Sequence, residues 1–579
     1  MVQVHLDLSE PQQHLVSVQM QFEPRLARMR LALPGWTPGS YLIRDYVRQL
    51  EGLVVEQGGH QLPLQRVEPA AWQLCCDPQG GPLTLRYRVL ATELTVRTCH
   101  LDHEHGFLAL AAVVLELEGE RWSPYTLTCT LPQGWQAFVP LPSANAGWQA
   151  RNFDHLLDSP VEAGPHRALD FAVHGVPHRL VCWAGAAGEE GWFLQRYPQL
   201  LDDLRLVCEA CCRLMGVQQP AAESYLVILH LVDEGYGGLE HDDSTVLVYG
   251  RRNLEKPSGY RRFLQLVAHE YLHQWNVRRL RPAQLTPIDY HRAPVVPSLW
   301  FAEGVTSYLD QFLPLSAGLT QPDELLQDLA EDLTRFRLTP GRAVQSLRES
   351  SQEAWVKLYK ADAYSADSQI SYYLKGAVVA LCLDLHLRRN NSSLMEVLQT
   401  LWVSHGRWGR GYSEADLVSA FASRAPDLAA DLPRWLRELD DPDLDGYLSS
   451  VGLYMEAEMA TAPWVGLKTQ LEGGLLTAAR VVRGGPAEKA GVMVGDELVA
   501  LDQHRLKSAD DLTRSLLTDS RQTLLIARRS QLRSLDLCAE APRVERYLLK
   551  QVADATAQQR DAQQRWLLQQ PCCNSPAVA

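Results

Sequence analysis

The chain has 579 residues, 46% hydrophobic and 21% charged, a composition that excludes a disordered chain and suits a folded multidomain protein. Its 69 acidic against 55 basic residues leave a formal charge of −14, which disfavours phosphate-driven binding to nucleic acid or to an anionic membrane surface. No apolar run approaches the roughly 18 residues of a spanning helix.

In chain order, the first 165 or so residues alternate in short strand-like runs, HLVSVQMQF, MRLALPG, LTLRYRVLAT and YTLTCTLP, separated by Gly, Pro and Asn. An antiparallel β domain is expected there. The opening residues include Asp7 and Glu10 where a leader would be basic and then apolar, so no secretory signal is expected and a cytoplasmic location is the expectation. His100, His103 and His105 cluster in CHLDHEHGF, and His103 and His105 would share a strand face. No carboxylate or cysteine stands at ligand spacing, so surface or interdomain histidines are expected.

From about residue 190 the period lengthens. WFLQRYPQLLDDLRLVCEACCRLM reads as helix, SYLVILHLV as a buried strand, and helical stretches continue to about residue 450. The Pro-rich segment Arg281–Pro297 interrupts them and is expected to be a surface excursion. VRRLRP, ending at Pro282, is basic and is expected to be salt-bridged between domains rather than to bind an anion. The twelve cysteines include the adjacent pairs Cys75–Cys76, Cys211–Cys212 and Cys572–Cys573, which suit reduced thiols better than a disulfide framework. Cys208 and Cys211 have the spacing of half a zinc site with nothing to complete it, so buried thiols are expected.

A further unit begins near Trp464: VGLKTQL, LLTAARVV and GGPAEKAGVMVGDELVAL read as strand, strand, short helix and strand. The last residues, from RVERYLLKQ onward, read as a polar helix with a frayed end.

The strongest local signal is LVAHEYLHQWN. In a helix, residues four apart lie on one face, so His269 and His273 can hold one metal ion. Glu270, about 100° round from His269, can take a proton from water at the open coordination position. A third protein ligand is required, and Glu303 in LWFAEGVTSYLDQF is the candidate, since an unpaired carboxylate in so aromatic a segment would be costly. Asp310, seven residues on, either holds a ligand imidazole from behind or is a solvated helix residue.

VAHEYLHQWNVRRLRP followed by LWFAEGVTSYL resembles the glycyl aminopeptidase family of zinc metallopeptidases, related to the aminopeptidase N and leukotriene A4 hydrolase group. PGWTPGSYLIRDYVRQL, residues 34 to 50, is similar to a signature in that family's N-terminal β domain. The resemblance spans residues ~30 to ~535. It implies a multidomain α+β fold: an N-terminal antiparallel β domain (1–165), a mainly helical thermolysin-like zinc peptidase domain (166–455), a PDZ domain (456–540) and a helical tail (541–579). It also implies one Zn²⁺ per chain.

By the same resemblance, Gly237-Gly238-Leu239-Glu240-His241 looks like the exopeptidase loop of the group, with Gly237 and Gly238 lining the substrate and Glu240 binding its free α-ammonium. His241 replaces the asparagine of that pattern, which leaves its role open; without the resemblance the segment reads as a glycine-rich turn. Tyr373-Leu374-Lys375-Gly376 resembles the pattern whose tyrosine steadies the tetrahedral oxyanion, and adjacent Tyr372 remains an alternative. Val465, Gly466 and Leu467 resemble a PDZ carboxylate-binding loop that takes a peptide C-terminus.

The resulting expectation is a zinc aminopeptidase that removes small residues, Gly or Ala, from peptides with a free N-terminus. Its partners would be those peptides and a peptide C-terminus at the PDZ groove, with a homo-oligomer compatible with the sequence. The alternatives are a zinc endopeptidase or other hydrolase, and a PDZ-based scaffold with a vestigial metal site.

Overall fold

The computed structural model describes residues 1–144, 146–185 and 190–570; Cys572 and Cys573 lie outside the described residues. The N-terminal unit is built on an eight-stranded sheet whose centre is Val2–Asp7, Leu15–Phe22 and Leu83–Leu90, with two four-stranded sheets against it. Leu15–Phe22 shows why: its alternation places Val16, Val18, Met20 and Phe22 in the core and the intervening polar residues outward. The expected strands form where the alternation places them. The unit is not wholly antiparallel, however, because Val2–Asp7 pairs in parallel with Tyr125–Thr130. A long crossover between those two strands permits this, and no local pattern announces it.

The middle unit begins with a five-stranded mixed sheet in the order Ala168–Val173, Val176–Trp183, Tyr225–Val232, Ser244–Gly250, Tyr236–Glu240. Tyr225–Val232 has parallel neighbours on both sides, which explains its apolar run, broken only by His230. Tyr236–Glu240 is the edge strand, antiparallel to Ser244–Gly250. Helices follow. The longest, Tyr372–Arg389, is buried from Leu374 to Leu387. The stretch Ser365–Arg389 is long and apolar enough by composition to cross a membrane, but 89% of its apolar window is buried inside the fold, as for a core helix.

The Pro-rich segment 281–297 is not a free excursion. It is seated on the N-terminal unit: the Gly35 amide donates to Tyr290 O (2.8 Å), Trp36 Nε1 to Asp289 O (2.8 Å), and Arg121 to Ile288 O (2.7 Å). Pro-rich chain lacks its own ladder of hydrogen bonds and finds these partners across the domain boundary. The basic VRRLRP run is ion-paired as expected, with Arg278 held by Asp158 (2.7 Å) of the N-terminal unit and by Asp242 (2.9 Å), and Arg279 by Asp243 (3.0 Å).

The C-terminal β unit has its own core, from Val465 to Ala539. Its sheet runs Leu467–Glu472, Leu475–Val481, Glu497–Leu501, Arg521–Arg528, Gln531–Cys538, with a short helix Pro486–Ala490 and a second, Ala509–Ser515. The segment after it departs from the expected all-helical tail. Val544–Gln551 is a strand paired antiparallel with Leu453–Met459, and only Ala557–Leu567 is helical. The pairing closes the unit's entry and exit strands, and Thr334 Oγ1 donates to Tyr547 O while accepting from its amide. The helix is not frayed through Leu567, because Trp566 is buried, packs on Phe312 and donates to Tyr308 Oη at 2.8 Å. Cys208 and Cys211 are free thiols buried in helix Leu200–Leu214. Burial pushes both thiols well up, as expected of core residues.

Candidate metal centre and substrate cleft

Helix Gly259–Leu272 carries His269 and Glu270, and His273 caps its C-terminus. Its start is fixed from outside: Arg261 makes a two-pronged ion pair with buried Asp328 (2.9 and 2.8 Å). The next helix, Val305–Ser316, is entered through a π turn, Trp300–Gly304, which holds Glu303. Such turns bulge a side chain out of the regular helical path and recur at functional sites.

The fold brings the three expected ligands together. Ligand atoms of His269, His273 and Glu303 lie within 4.8 Å of one another. Both Nε2 atoms face Glu303 Oε2, at 3.6 Å from His269 and 3.2 Å from His273. The far nitrogens are both engaged: His269 Nδ1 donates to Asp310 Oδ2 (2.8 Å) and His273 Nδ1 to Asn276 O (2.6 Å). Those bonds fix the tautomers so that each Nε2 offers a lone pair to a common point, which is how zinc-binding histidines are held. Two imidazoles and one carboxylate, with a fourth side open to the cleft, fit a catalytic Zn²⁺.

Electrostatics separates the two glutamates. Burial raises Glu303, yet the imidazoles of His273 and His269 bring it down to about 2. Burial pushes Glu270 up to about 7 against the pull of the same two rings, with Glu240 and Glu303 adding to the rise. One carboxylate therefore stays anionic and the other sits near neutral pH, the division expected between a ligand and a proton carrier. Burial also raises Asp310, to about 6, although the His269 hydrogen bond opposes it.

The edge strand Tyr236–Glu240 borders this centre. A Cβ on Gly238 would lie 2.2 Å from Glu270 Oε1, so only glycine lets the strand backbone rest on the Glu270 carboxylate. Carboxylate oxygens of Glu240 and Glu270 and a ring nitrogen of His273 lie within 4.8 Å of one another. Glu240 is 4% exposed, and its Oε1 has no hydrogen-bond partner among the described residues. His241 turns away, with Nδ1 against Asp158 Oδ1 at 3.0 Å, and serves to tie the strand to the N-terminal unit.

Tyr373 and Tyr372 begin one helix with their rings stacked at 4.7 Å, and they differ in burial. The Tyr373 ring stacks 6.5 Å from the His269 ring, and its hydroxyl lies 3.3 Å from that of Tyr359. Tyr372 is fully buried and turned toward Tyr41. Glu303 and Tyr373 are brought together by a close helix crossing at Gly304 and Gly376, where a Cβ on Gly304 would lie 2.6 Å from Gly376 Cα.

Several contributors were not picked out from the sequence. Asn276 follows HEYLHQW directly and donates from Nδ2 to Phe301 O (3.0 Å) and Ala302 O (3.1 Å), tying the end of the zinc helix to the turn that carries Glu303. Its signal was a polar side chain in an apolar helical surround. Tyr359, and the N-terminal residues Gly39, Tyr41 and Arg97, reach the cleft only through the tertiary fold. Gly39 has a φ of +84°, and a Cβ there would lie 2.5 Å from Glu240 Oε2. The segment from Gly35 to Tyr41 thus closes one wall of the cleft.

The other histidine cluster has a different character. His105 is buried at the domain boundary and His100 pairs with Asp102 at 3.1 Å. Glu162 accepts from His105 Nδ1 (3.0 Å) and from His230 Nε2 (2.8 Å), with His166 Nε2 at 3.2 Å. The far nitrogens, His105 Nε2 and His230 Nδ1, have no partner among the described residues. The imidazoles here surround one buried carboxylate, and their fields and hydrogen bonds hold Glu162 well below the usual range despite its burial.

A helix-borne His₂Glu set with an adjacent carboxylate at neutral pH defines a zinc metallopeptidase. The sequence matches the peptidase M61 N-terminal domain over residues 3–165 and the M61 glycyl aminopeptidase domain over residues 262–379. It is similar to an aminopeptidase N family protein from Idiomarina loihiensis, with 29% identity and a TM-score of 0.89 over 98% of this chain and 100% of that one. An M1 zinc metallopeptidase from Deinococcus radiodurans is 15% identical, with a TM-score of 0.47 over 76% of this chain and 94% of that one. Native yeast LTA4 hydrolase is 11% identical, with a TM-score of 0.48 over 78% and 70% of the respective chains. No curated protein matches the sequence.

Proposed function

We propose that this zinc metallopeptidase is an exopeptidase that removes a single small residue, Gly or Ala, from the free amino end of a peptide. One observation carries the reading. Glu240 is a buried carboxylate with an unpartnered oxygen, within 4.8 Å of the His273 and Glu270 functional atoms. Leaving such a group unsatisfied costs about 1–3 kcal/mol or more, a cost removed when a cationic amine arrives. A blocked N-terminus offers no cation and would leave the charge buried and bare.

His269, His273 and Glu303 would hold one zinc ion. When bound, zinc supplies Lewis acidity to the scissile carbonyl and to the attacking water. Glu270, poised near neutrality, accepts the proton of that water and hands it to the leaving amine. The backbone of Gly237 and Gly238 runs beside the substrate as an added strand. Tyr373 is assigned the oxyanion bond, on the strength of its position over His269. Gly39 and the neighbouring wall leave little room beside Glu240, which supports a small first residue.

The C-terminal unit is proposed to be a PDZ domain spanning 456–540. In its favour are the edge strand Leu467–Glu472, the facing helix Ala509–Ser515 and a groove lined by Val465, Gly466, Leu467, Leu512 and Leu516. A peptide C-terminus is its proposed ligand. A reducing, cytoplasmic location is proposed, in keeping with the free buried thiols of Cys208 and Cys211.

The test is hydrolysis of Gly- and Ala-p-nitroanilide beside their N-acetylated forms. Cleavage of the free amines alone is expected. Equal cleavage of the acetylated forms would favour an endopeptidase and remove Glu240 from its role.

A further inference from the structure

Two arginines of the N-terminal unit stand beside the cleft with no acid to neutralise them. Arg97 donates from Nη2 to Gly238 O at 3.2 Å, so its guanidinium sits at the edge strand, on the residue whose backbone rests against Glu270. Arg44 donates from Nη2 to Ser40 Oγ at 2.9 Å, within the segment that forms the cleft wall. Among the described residues neither has a carboxylate within ion-pair distance, and each leaves a buried Nε without a partner. Glu93, whose field reaches Arg44, is already paired with Arg48 at 2.7 Å.

Burial first, and then the field of Arg97, lower the pKa of Arg44, so each charge acts on the other. Tyr359, whose hydroxyl lies 3.3 Å from that of Tyr373, feels the charge of Arg97 as well. Partly buried like charges within reach of each other's field repel one another, and an anion bound beside them relieves both that repulsion and the unsatisfied donors.

Position along the edge strand selects the anion. Gly238 is two residues from Glu240, a separation of about 7 Å in an extended strand. An extended dipeptide spans about the same length from its amine to its carboxylate. With the ammonium on Glu240 and the scissile bond over Glu270, the free carboxylate of a dipeptide falls near Arg97.

Resting on the aminopeptidase reading, we propose that Arg97 and Arg44 form a carboxylate subsite that makes the enzyme prefer short peptides, dipeptides above all, with a free α-carboxylate.

The experiment compares kcat/KM for Gly-Leu, Gly-Leu-NH2, Gly-Asp-NH2 and the series Gly-Leu-Gly and Gly-Leu-Gly-Gly, in the wild-type holoenzyme and in Arg97→Met and Arg44→Met. The wild type should favour Gly-Leu over Gly-Leu-NH2 by about 10- to 100-fold, the worth of a charged hydrogen bond, with activity falling along the length series. In both variants the ratio of acid to amide should fall toward one, chiefly through KM for the acid. The length series in the wild type stands even where a variant does not fold. A wild-type ratio near one overturns the subsite and leaves the aminopeptidase intact. A preference for Gly-Asp-NH2 without one for Gly-Leu would assign the arginines to an acidic side chain and also overturn it. N-acetyl-Gly-Leu-NH2 is run beside them, and turnover confined to it would overturn both readings.

Discussion

Substituting Gly304 by alanine probes how the fold positions its chemistry without touching a reacting group. The added Cβ would lie 2.6 Å from Gly376 Cα and 2.9 Å from Tyr372 O. Carbon–carbon contacts settle at about 3.5–4.0 Å, so the two helices must part by about 1 Å. Both obstacles are backbone, and no side chain can swing aside. The parts that separate are the turn holding Glu303 and the helix holding Tyr373. Misplacement by about 1 Å between catalytic groups can lower a rate by roughly 10²-fold, and overpacking costs about 1–3 kcal/mol of stability. Gly304→Ala is therefore expected to lose roughly 10- to 100-fold in kcat on Gly-p-nitroanilide and to melt several degrees lower, by about 2–4 °C per kcal/mol. Gly376→Ala, whose Cβ would meet Gly304 Cα and Trp300 O at 3.0 Å, should be milder in both respects. Steady-state kinetics with saturating zinc and a thermal melt decide it. Wild-type kcat and melting temperature in Gly304→Ala would refute the close crossing as the device that sets Glu303 against Tyr373.

Other outcomes follow from the same site. Glu240→Gln should lower kcat/KM for free-amine substrates by roughly 10²-fold while raising the melting temperature, since it removes a buried carboxylate with an unpartnered oxygen; a loss in both would contradict its assignment to substrate. Asp310→Asn, which weakens the 2.8 Å bond orienting His269, should loosen zinc by about 10- to 100-fold in competition with a chelator. Burial holds His178 down to about 4 from 6.5, with Nδ1 donating to Val176 O and Nε2 accepting from Tyr271 Oη. A histidine depressed in the folded state stabilises fully above its unfolded value and progressively less as pH falls from 6.5 toward 4, by up to about 3 kcal/mol from this group. Urea midpoints of wild type and His178→Gln between pH 7 and 4 should show the variant with the shallower dependence.

The parts of this centre that could be read from sequence were those with a local period. His269, Glu270 and His273 share a helical spacing, and Asp310 keeps to the face of Glu303 on the next helix. The edge strand was legible only through its glycines, whose reason is the contact between Gly238 and Glu270. Tyr372 and Tyr373 differ by one residue and about 100° of helix, a distinction that only the packing of Tyr372 against Tyr41 makes. Gly39, Arg44 and Arg97 enter from a separate domain, with no spacing to announce them. The strand Val544–Gln551 was masked by its polar composition, because its partner lies about ninety residues earlier. Glu162 gathers histidines from two domains for the same reason.

The claim on which the rest depends is that His269, His273 and Glu303 hold the zinc. Zinc content per chain, measured on the wild type and on Glu303→Ala at equal folded concentration, tests it most directly. The account predicts about one zinc per chain in the wild type and little in the variant, with peptidase activity lost in parallel. Full zinc retained in Glu303→Ala would place the metal elsewhere and contradict the account.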